Sequence, residues 1–293
     1  MIIIHVKGGL GNQLFQYSLG RHLAIKNNCE LFLDLSFYDN GNQHRNFLLN
    51  DFNTKFKILP KESSARYKKF NNADINRYYN YFKFSFRVYS ERHVEKFKPK
   101  LLTKKNGFFE GYWQSEKYFN SVRSLLLSDL TLKFADNKLR GILDDISSNE
   151  AVSLHVRKSD YLNPQNKKIY SDCDLSYYQN AVELIKIRHP KAKFYIFSDD
   201  FDWVSKNLPF NCEHLIVNLN NTPVEDIYLM SRCKHNIIAN STFSWWGAWL
   251  NNHPDKIVIA PEKWFVDEQK FKNDILPDNW TKIANSPTWC NQF

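Results

Sequence analysis

No stretch of this 293-residue chain approaches the roughly 18 uninterrupted apolar residues that a membrane-spanning helix requires. The apolar opening, residues 2–6, is cut off at once by Lys7 and Gly8 and is too short for a signal peptide. Paired cysteines are lacking as well. The five cysteines stand singly at 29, 173, 212, 233 and 290, with no CxxC spacing and one left over under any pairing. That usage fits a reduced, cytoplasmic compartment and not a structural zinc site. Spaced acidic ligands are missing too. Asp199 and Asp200 are adjacent, with no further ligands at metal spacing, so no metal is expected.

What is present describes a soluble globular protein: 43% hydrophobic and 24% charged residues, in a chain long enough for two domains with real cores. The net charge of +9 is unevenly placed. Residues 55–105 hold 15 Lys or Arg against four acids (Glu62, Asp74, Glu91 and Glu95), so the rest of the chain is close to neutral. Aromatics interleave these charges, among them Tyr67, Phe70, Tyr78, Tyr79, Phe82 and Tyr89. Such a mixture suits an anionic membrane surface, a lipid-linked acidic substrate or nucleic acid, and equally a solvated face over core aromatics.

Residues 2–6 read as a buried strand running into Gly8, Gly9, Leu10, Gly11, Asn12 and Gln13. A helical pattern follows, with Leu14, Phe15, Tyr17, Leu19 and Leu23 apolar, then a second strand at residues 31–33 that ends on Asp34. This is the opening of a βαβ unit, whose glycines allow a tight turn and whose helix start offers free N–H groups to an anion. It raises a nicotinamide-dependent oxidoreductase as one reading, with Asp34 near the ribose-gripping position. Leu14 stands where the third fingerprint glycine belongs, and a bulky residue there would hold the helix off the strand. Residues 40–105 show poor periodicity. A strand near Phe108 and Phe109 then leads to a loop and a helix that Ser115 could cap. Residues 136–150 are polar, the best candidate for an interdomain connection, with Leu139, Ile142, Leu143 and Ile146 permitting one short helix.

The second half is more regular. Strands are expected at residues 151–156, 194–197, 215–217, 236–239 and 256–260, the last closed by Pro261. Helices fall near 175–188 and 243–250, and another begins at Thr222-Pro223-Val224-Glu225, a capping box with Pro at the first helical position. Strands alternating with helices imply a parallel sheet covered on both faces. The expected organisation is an amino-terminal domain over residues 1–140 with the basic insertion at 55–105, a carboxyl-terminal domain over 150–270, and a tail over 271–293.

Four groups of polar residues follow strands directly: 8–13, His155 to Asp160, Asp199, and Asn240 to Ser244. The carboxyl edge of a parallel sheet is where ligands bind. Arg157 can grip a diphosphate with two prongs, Ser241, Thr242 and Ser244 lie at a helix start, and Asp199 can accept two N–H donors from a guanine edge. Together they favour a nucleotide-diphosphate site.

The sequence from Gly8 to Tyr17 resembles the amino-terminal motif of the α-1,2-fucosyltransferases, glycosyltransferase family 11. His155-Val156-Arg157-Lys158-Ser159-Asp160-Tyr161 is similar to their H-x-R-x-x-D-Y motif, with Lys158-Ser159 where Arg-Gly is common. Residues 111–116 and the run from Glu225 through Asn240-Ser241-Thr242-Phe243-Ser244-Trp245-Trp246 to Leu250 resemble two further motifs. The resemblance implies an α/β protein of the GT-B fold: two Rossmann-like parallel-sheet domains with the active site in the cleft between them. It implies inverting, metal-independent transfer of L-fucose from GDP-β-L-fucose to a sugar hydroxyl, the 2-OH of a galactoside, in surface glycan synthesis. Arg157 would stabilise departing GDP with His155 nearby, and Asp160 would orient the motif. Ser241, Thr242 and Ser244, beside Asn240, would hold the diphosphate, and Asp199 the base. Asn12 and Gln13, on the turn of Gly9 and Gly11, would face fucose and acceptor. No cofactor, metal or nucleic acid is implied. The acceptor would be a glycan, lipid-linked if the basic region 55–105 docks on the inner face of an anionic membrane.

An inverting attack benefits from a base near the acceptor hydroxyl. Glu116, Asp34 and His155 all stand as candidates, as does the departing phosphate. Trp245, Trp246 and Trp249 read as core rather than a sugar platform, and His5, His22 and His235 as structural.

Overall fold

The computed structural model describes residues 1–39, 45–63, 87–91, 94–134, 137–158, 167–208, 211–268 and 271–285. Most of the basic, aromatic stretch (64–86, 92–93) lies outside the described residues, as do Ser159, Asp160 and Tyr161. The chain forms two compact units. The first comprises Met1–Lys133 and Phe271–Ile275, the second Phe134–Lys270 and Leu276–Phe293. The first unit thus ends short of residue 140, and the expected tail is shared between both.

In the first unit the described elements are β1 (Ile2–His5), α1 (Leu10–Lys26), β2 (Leu31–Asp34), β3 (Lys57–Ile58), β4 (Val88–Ser90), β5 (Gly107–Glu110) and α2 (Arg123–Asp129). The strands lie in the order β3-β2-β1-β5-β4, every pair parallel. β1 is central and buried, so three isoleucines in succession suit both of its faces. α1 packs on the face carrying Ile4. A Cβ on Gly20 would lie 2.5 Å from Ile4 Cγ1 and 2.7 Å from Leu31 Cδ1, so glycine alone permits this approach. Side chains alternate along a strand, which puts His5 on the opposite face with Ile3, its ring stacked on Phe108 at 6.1 Å.

The inner turns of α1 are tied to the end of α2. Tyr17 Oη donates to Asp129 Oδ2 at 2.8 Å and Arg21 Nε donates to the same oxygen at 2.7 Å. Ser115 does not open a capped helix. A 3₁₀ turn, Glu116–Tyr118, follows it without a side-chain cap bond, after Trp113 takes a left-handed φ of 55°. The returning segment closes the unit: Asp274 Oδ2 accepts the N–H of Phe97 at 2.9 Å, and Ile275 is fully buried.

In the second unit the elements are α3 (Arg140–Ser148), β6 (Glu150–Val156), α4 (Leu175–Arg188), β7 (Ala192–Ser198), α5 (Phe201–Asn207), β8 (His214–Ile216), α6 (Pro223–Arg232), β9 (His235–Ile237), α7 (Thr242–Leu250), β10 (Val258–Pro261) and β11 (Thr281–Ile283). The expected connection at 136–150 is largely α3. Its Ile142 and Ile146, with Leu139 before them, belong to the core cluster that holds Tyr195, Phe197 and Leu229. The capping box of α6 is formed: Glu225 N–H reaches Thr222 Oγ1 at 3.3 Å and Thr222 N–H reaches Glu225 Oε2 at 2.6 Å, worth about 1 kcal/mol. The strand order is β11-β10-β9-β6-β7-β8, all parallel. β10 is therefore not the last strand, because Thr281 pairs with Ile259 beyond it. This order is the doubly wound 3-2-1-4-5-6 arrangement, and its switch point falls between β6 and β9. α7 is buried around almost its whole girth, with Trp245, Trp246 and Trp249 packed on one another and Trp245 against Trp280. These tryptophans are core, as the sequence suggests.

Candidate active site

The chain diverges at the β6/β9 switch point, and β6 and β9 run directly into the expected site residues. β6 delivers His155 and then Arg157, and β7 delivers Asp199 one strand away, because Val156 pairs with Ser198. That register sets Arg157 Nε 3.2 Å from Asp199 Oδ2, while the Lys158 N–H donates to Asp199 Oδ1 at 2.9 Å. Both oxygens of Asp199 are thus engaged by the end of β6, and the carboxylate orients the guanidinium. Lys158 turns the other way. Its Nζ lies 3.2 Å from Asp172 Oδ1, donates to Cys173 O at 2.9 Å and sits 4.5 Å over the Trp203 ring. The departure from Arg-Gly at 158–159 leaves the Arg157–Asp199 pair intact.

His155 is buried, and its Nδ1 has no hydrogen-bond partner among the described residues. Burial, reinforced by the Arg157 charge, lowers its pKa to about 3, so the imidazole is neutral. Its ring lies 5.5 Å from that of Phe243 in the first turn of α7, joining the ends of β6 and β9. Ser241 is the N-cap of α7 and accepts from the Phe243 N–H at 3.3 Å. Ser241 and Thr242 are half-buried at the helix start. Ser244 lies deeper than Ser241 and Thr242. It is buried, and its hydroxyl donates to Ser241 O at 3.3 Å and Ala239 O at 3.5 Å, because it has already entered the helix interior. Asn240 works from beneath, donating to Ser171 O at 2.7 Å and also to Trp264 O.

In the first unit the residues after β1 form a tight turn. Gly8 has φ of +83°, and a Cβ there would meet Asn12 Nδ2 at 2.8 Å. Gly9 is the N-cap of α1 and Gly11 is buried in its first turn. Asn12 is half-buried, with Oδ1 accepting from Gln114 Nε2 at 2.7 Å, so the turns after β1 and β5 are joined. Gln13 is fully buried and spans the turn. It donates to Asn46 O at 2.7 Å and accepts from Leu48 N–H at 2.9 Å, holding the 45–48 segment rather than facing outward. That segment brings a residue the sequence did not single out: the Arg45 Nη1 lies 3.8 Å from where Gly9 would carry a Cβ. Cation placement over a glycine turn depends on where residues 45–48 lie, and these lack a periodic signal.

Glu91 is no accessible base. It is buried, and its Oε2 accepts the N–H groups of Tyr112 and Trp113, both at 2.8 Å. Among the described residues Glu150, His189 and His235 have the spacing of metal ligands, all within 4.8 Å of one another. They lie at the amino end of the second sheet, where Glu150 and His235 begin β6 and β9. The Ile257 N–H donates to His235 Nδ1 at 3.0 Å, which puts the ring proton on Nε2, 3.4 Å from Glu150 Oε1. A metal would need the lone pair of that nitrogen, so this cluster holds a proton instead.

Asp226, near the start of α6, has its pKa raised by burial to about 6, against a donor bond from Asn221 at 2.9 Å. The folded protein therefore keeps this proton to higher pH than the unfolded chain. Stability from that proton is complete below pH ~4 and is lost as pH rises through about 6. Asp226→Asn should flatten the melting temperature between pH 4 and 7, with its gain over wild type greatest at pH 7 by scanning calorimetry.

Two parallel-sheet α/β units, with a cation and a helix start at a switch point, define a glycosyltransferase of the GT-B type. The chain belongs to glycosyl transferase family 11, whose profile matches residues 1–284. It is 34% identical over 288 residues to an alpha-1,2-colitosyltransferase of Escherichia coli, covering 97% of this chain and 99% of that protein. It is 25% identical over 299 residues to a galactoside 2-alpha-L-fucosyltransferase, Sec1, of Mus musculus, covering 97% of this chain and 74% of that one. Among solved structures, Arabidopsis thaliana FUT1 in complex with GDP is similar in fold, with a TM-score of 0.52 and 12% identity over 88% of this chain and 69% of that one.

Proposed function

We propose that the protein transfers L-fucose from GDP-β-L-fucose to the 2-hydroxyl of a galactoside, with inversion and without a metal, in the synthesis of a surface glycan. The observation that carries this reading is Arg157, held by Asp199 at the switch-point edge of a family 11 chain. Cleavage of the sugar–phosphate bond builds negative charge on GDP. A guanidinium already aimed by a carboxylate meets that charge without reorganising. Ser241 and Thr242 add the open end of α7 to the diphosphate, and the neutral His155, whose Nδ1 has no partner among the described residues, suits a hydrogen bond to a group that arrives with the donor. Asp199 keeps its proposed place by the guanine as well as its hold on Arg157. Asn12, on the turn that Gly9 and Gly11 allow, is the proposed contact to fucose and acceptor from the first unit, with Gln13 fixing that turn from inside. Asp160 is assigned to orient the H-x-R-x-x-D-Y segment.

A second reading replaces fucose by colitose, favoured by the 34% identity to the colitosyltransferase. The deciding experiment offers GDP-fucose and GDP-colitose in parallel to a panel of galactosides, with EDTA present, and reads products by mass spectrometry and NMR. An α-1,2-fucosyl galactoside formed in EDTA is the expected result. Colitosyl product alone would select the second reading, and no transfer without added metal would overturn metal independence.

Among the described residues no helix is long and apolar enough to cross a membrane. We place the protein in the cytoplasm, held peripherally on the inner membrane face by the basic stretch 55–105, where a lipid-linked acceptor would be presented. Co-sedimentation with anionic vesicles should be lost as salt rises; binding indifferent to salt would count against this.

A further inference from the structure

The strands of the first sheet run parallel, so their amino ends lie together at one end of the unit. Positive charge collects there. The Gly107 N–H donates to Met1 O at 3.4 Å and the Phe108 N–H to Arg87 O at 2.9 Å, which sets Met1 and Arg87 on either side of the start of β5. Lys57 opens β3. Lys26 closes α1, and its Nζ donates to Leu102 O at 2.9 Å, while Asn27 Nδ2 donates to Lys104 O at 3.0 Å. These bonds tie the end of α1 to residues 99–106, which lead into β5. Lys26, Lys100, Lys104 and Lys105 therefore join the same end of the unit. Among the described residues of these segments (1, 25–30, 57, 87 and 99–106) Glu30 is the one acid, and Lys57 pairs with it. Two apolar side chains stand out among the cations, Met1 at 41% and Ile25 at 36% exposed.

We infer that the amino end of the first sheet is a docking face for an anionic lipid surface. This rests on the peripheral placement above and extends it to Met1, Ile25 and Lys26, which lie outside residues 55–105. Lysines on flexible stems meet a diffuse layer of phosphate headgroups without a fixed geometry. Apolar side chains set among them enter the boundary between headgroups and acyl chains. A face kept only for solubility intersperses both signs of charge, and this one does not. Nucleic acid fits less well. The Tyr89 ring near this end stacks on Phe109 at 4.9 Å, with the Lys104 Nζ 5.5 Å from its centroid, so it gives bases no open stacking platform. Docking here leaves the glycine turn free, because Gly8 to Asn12 follow β1 at the opposite, carboxyl end of the same unit.

Wild type should co-sediment with vesicles of equal parts phosphatidylglycerol and phosphatidylcholine, and not with phosphatidylcholine alone. Lys100 and Lys105 are both exposed, and the double change Lys100→Glu, Lys105→Glu should weaken binding about tenfold or more with the melting temperature unchanged. Lys191→Glu with Lys206→Glu, the same charge change on exposed lysines of the second unit, should bind like wild type. Acetylation of intact wild type, mapped by mass spectrometry, needs no variant. The anionic vesicles should protect Lys100 and Lys105 and leave Lys191 and Lys206 reactive. Wild type that ignores anionic vesicles, or that binds a short single-stranded DNA more tightly, overturns the assignment. Binding that survives the Lys100 and Lys105 changes, with neither lysine protected, would keep the peripheral placement and overturn this face alone. No sugar transfer enters these measurements, so failure of the fucosyl-transfer reading is read separately.

Discussion

Arg157→Ala is expected to lower kcat for sugar transfer by about 10²–10³-fold while leaving the melting temperature nearly unchanged. The side chain is partly exposed, at 18%, and pairs with the Asp199 carboxylate at the edge of the sheet, so its loss opens no cavity in the core. In the proposed reaction its removal takes away a fixed positive charge where GDP would depart, and water cannot restore that charge in the same place. Arg157→Lys should rescue little. An ammonium cannot reach Asp199 and a phosphate together in the planar two-pronged geometry of a guanidinium. Single-turnover GDP release and thermal unfolding measured together make the test. Near-normal turnover in the alanine variant would remove Arg157 from the mechanism. A large fall in melting temperature would reassign it to structure.

The second large effect is on stability. Asp129→Ala should destabilise the first unit by about 3 kcal/mol, a fall of roughly 10 °C in its unfolding transition. Asp129 is 3% exposed and receives both Tyr17 Oη and Arg21 Nε on one oxygen. Without it the buried Tyr17 hydroxyl loses its acceptor and the partly exposed Arg21 guanidinium loses its carboxylate. The Lys55 N–H bond to Tyr17 Oη, at 3.0 Å, would remain and hold the phenol in place. Asp129→Asn keeps the shape and one acceptor, so it should cost about half as much. Chemical denaturation of each variant reads the difference, and an alanine variant as stable as wild type would contradict the assignment of this network.

Much of the second unit was legible because its strands are short apolar runs between turn residues. Thr222 to Glu225 announced α6 with a cap the structure forms. β11 was not legible: it has three residues, Thr281 and Lys282 are exposed, and only pairing with β10 makes it a strand. α5 was missed although Asp200 is its N-cap and accepts from the Trp203 N–H at 2.8 Å. That aspartate had been weighed as a metal ligand. Leu139, Ile142 and Ile146 carried the spacing of a helix face inside a polar stretch, and only the core they meet shows they belong to the second unit. In the candidate site, the ends of β6, β7 and β9 lie side by side, as alternating strands and helices suggest. The Arg157–Asp199 pair was hidden because it depends on register between strands, which hydrophobic pattern does not supply.

The return of Phe271–Ile275 to the first unit has a consequence for synthesis. A ribosome delivers residues 1–133 early, yet the acceptor for the Phe97 N–H and the buried Ile275 come only after the second unit's main sheet has been made. Neither unit can be completed until the end of the chain is made, since the first needs Phe271–Ile275 and the second needs β11. A stop codon after residue 270 would remove Asp274 from one unit and β11 from the other. Late nonsense mutations should thus damage the oldest part of the nascent chain as much as the newest.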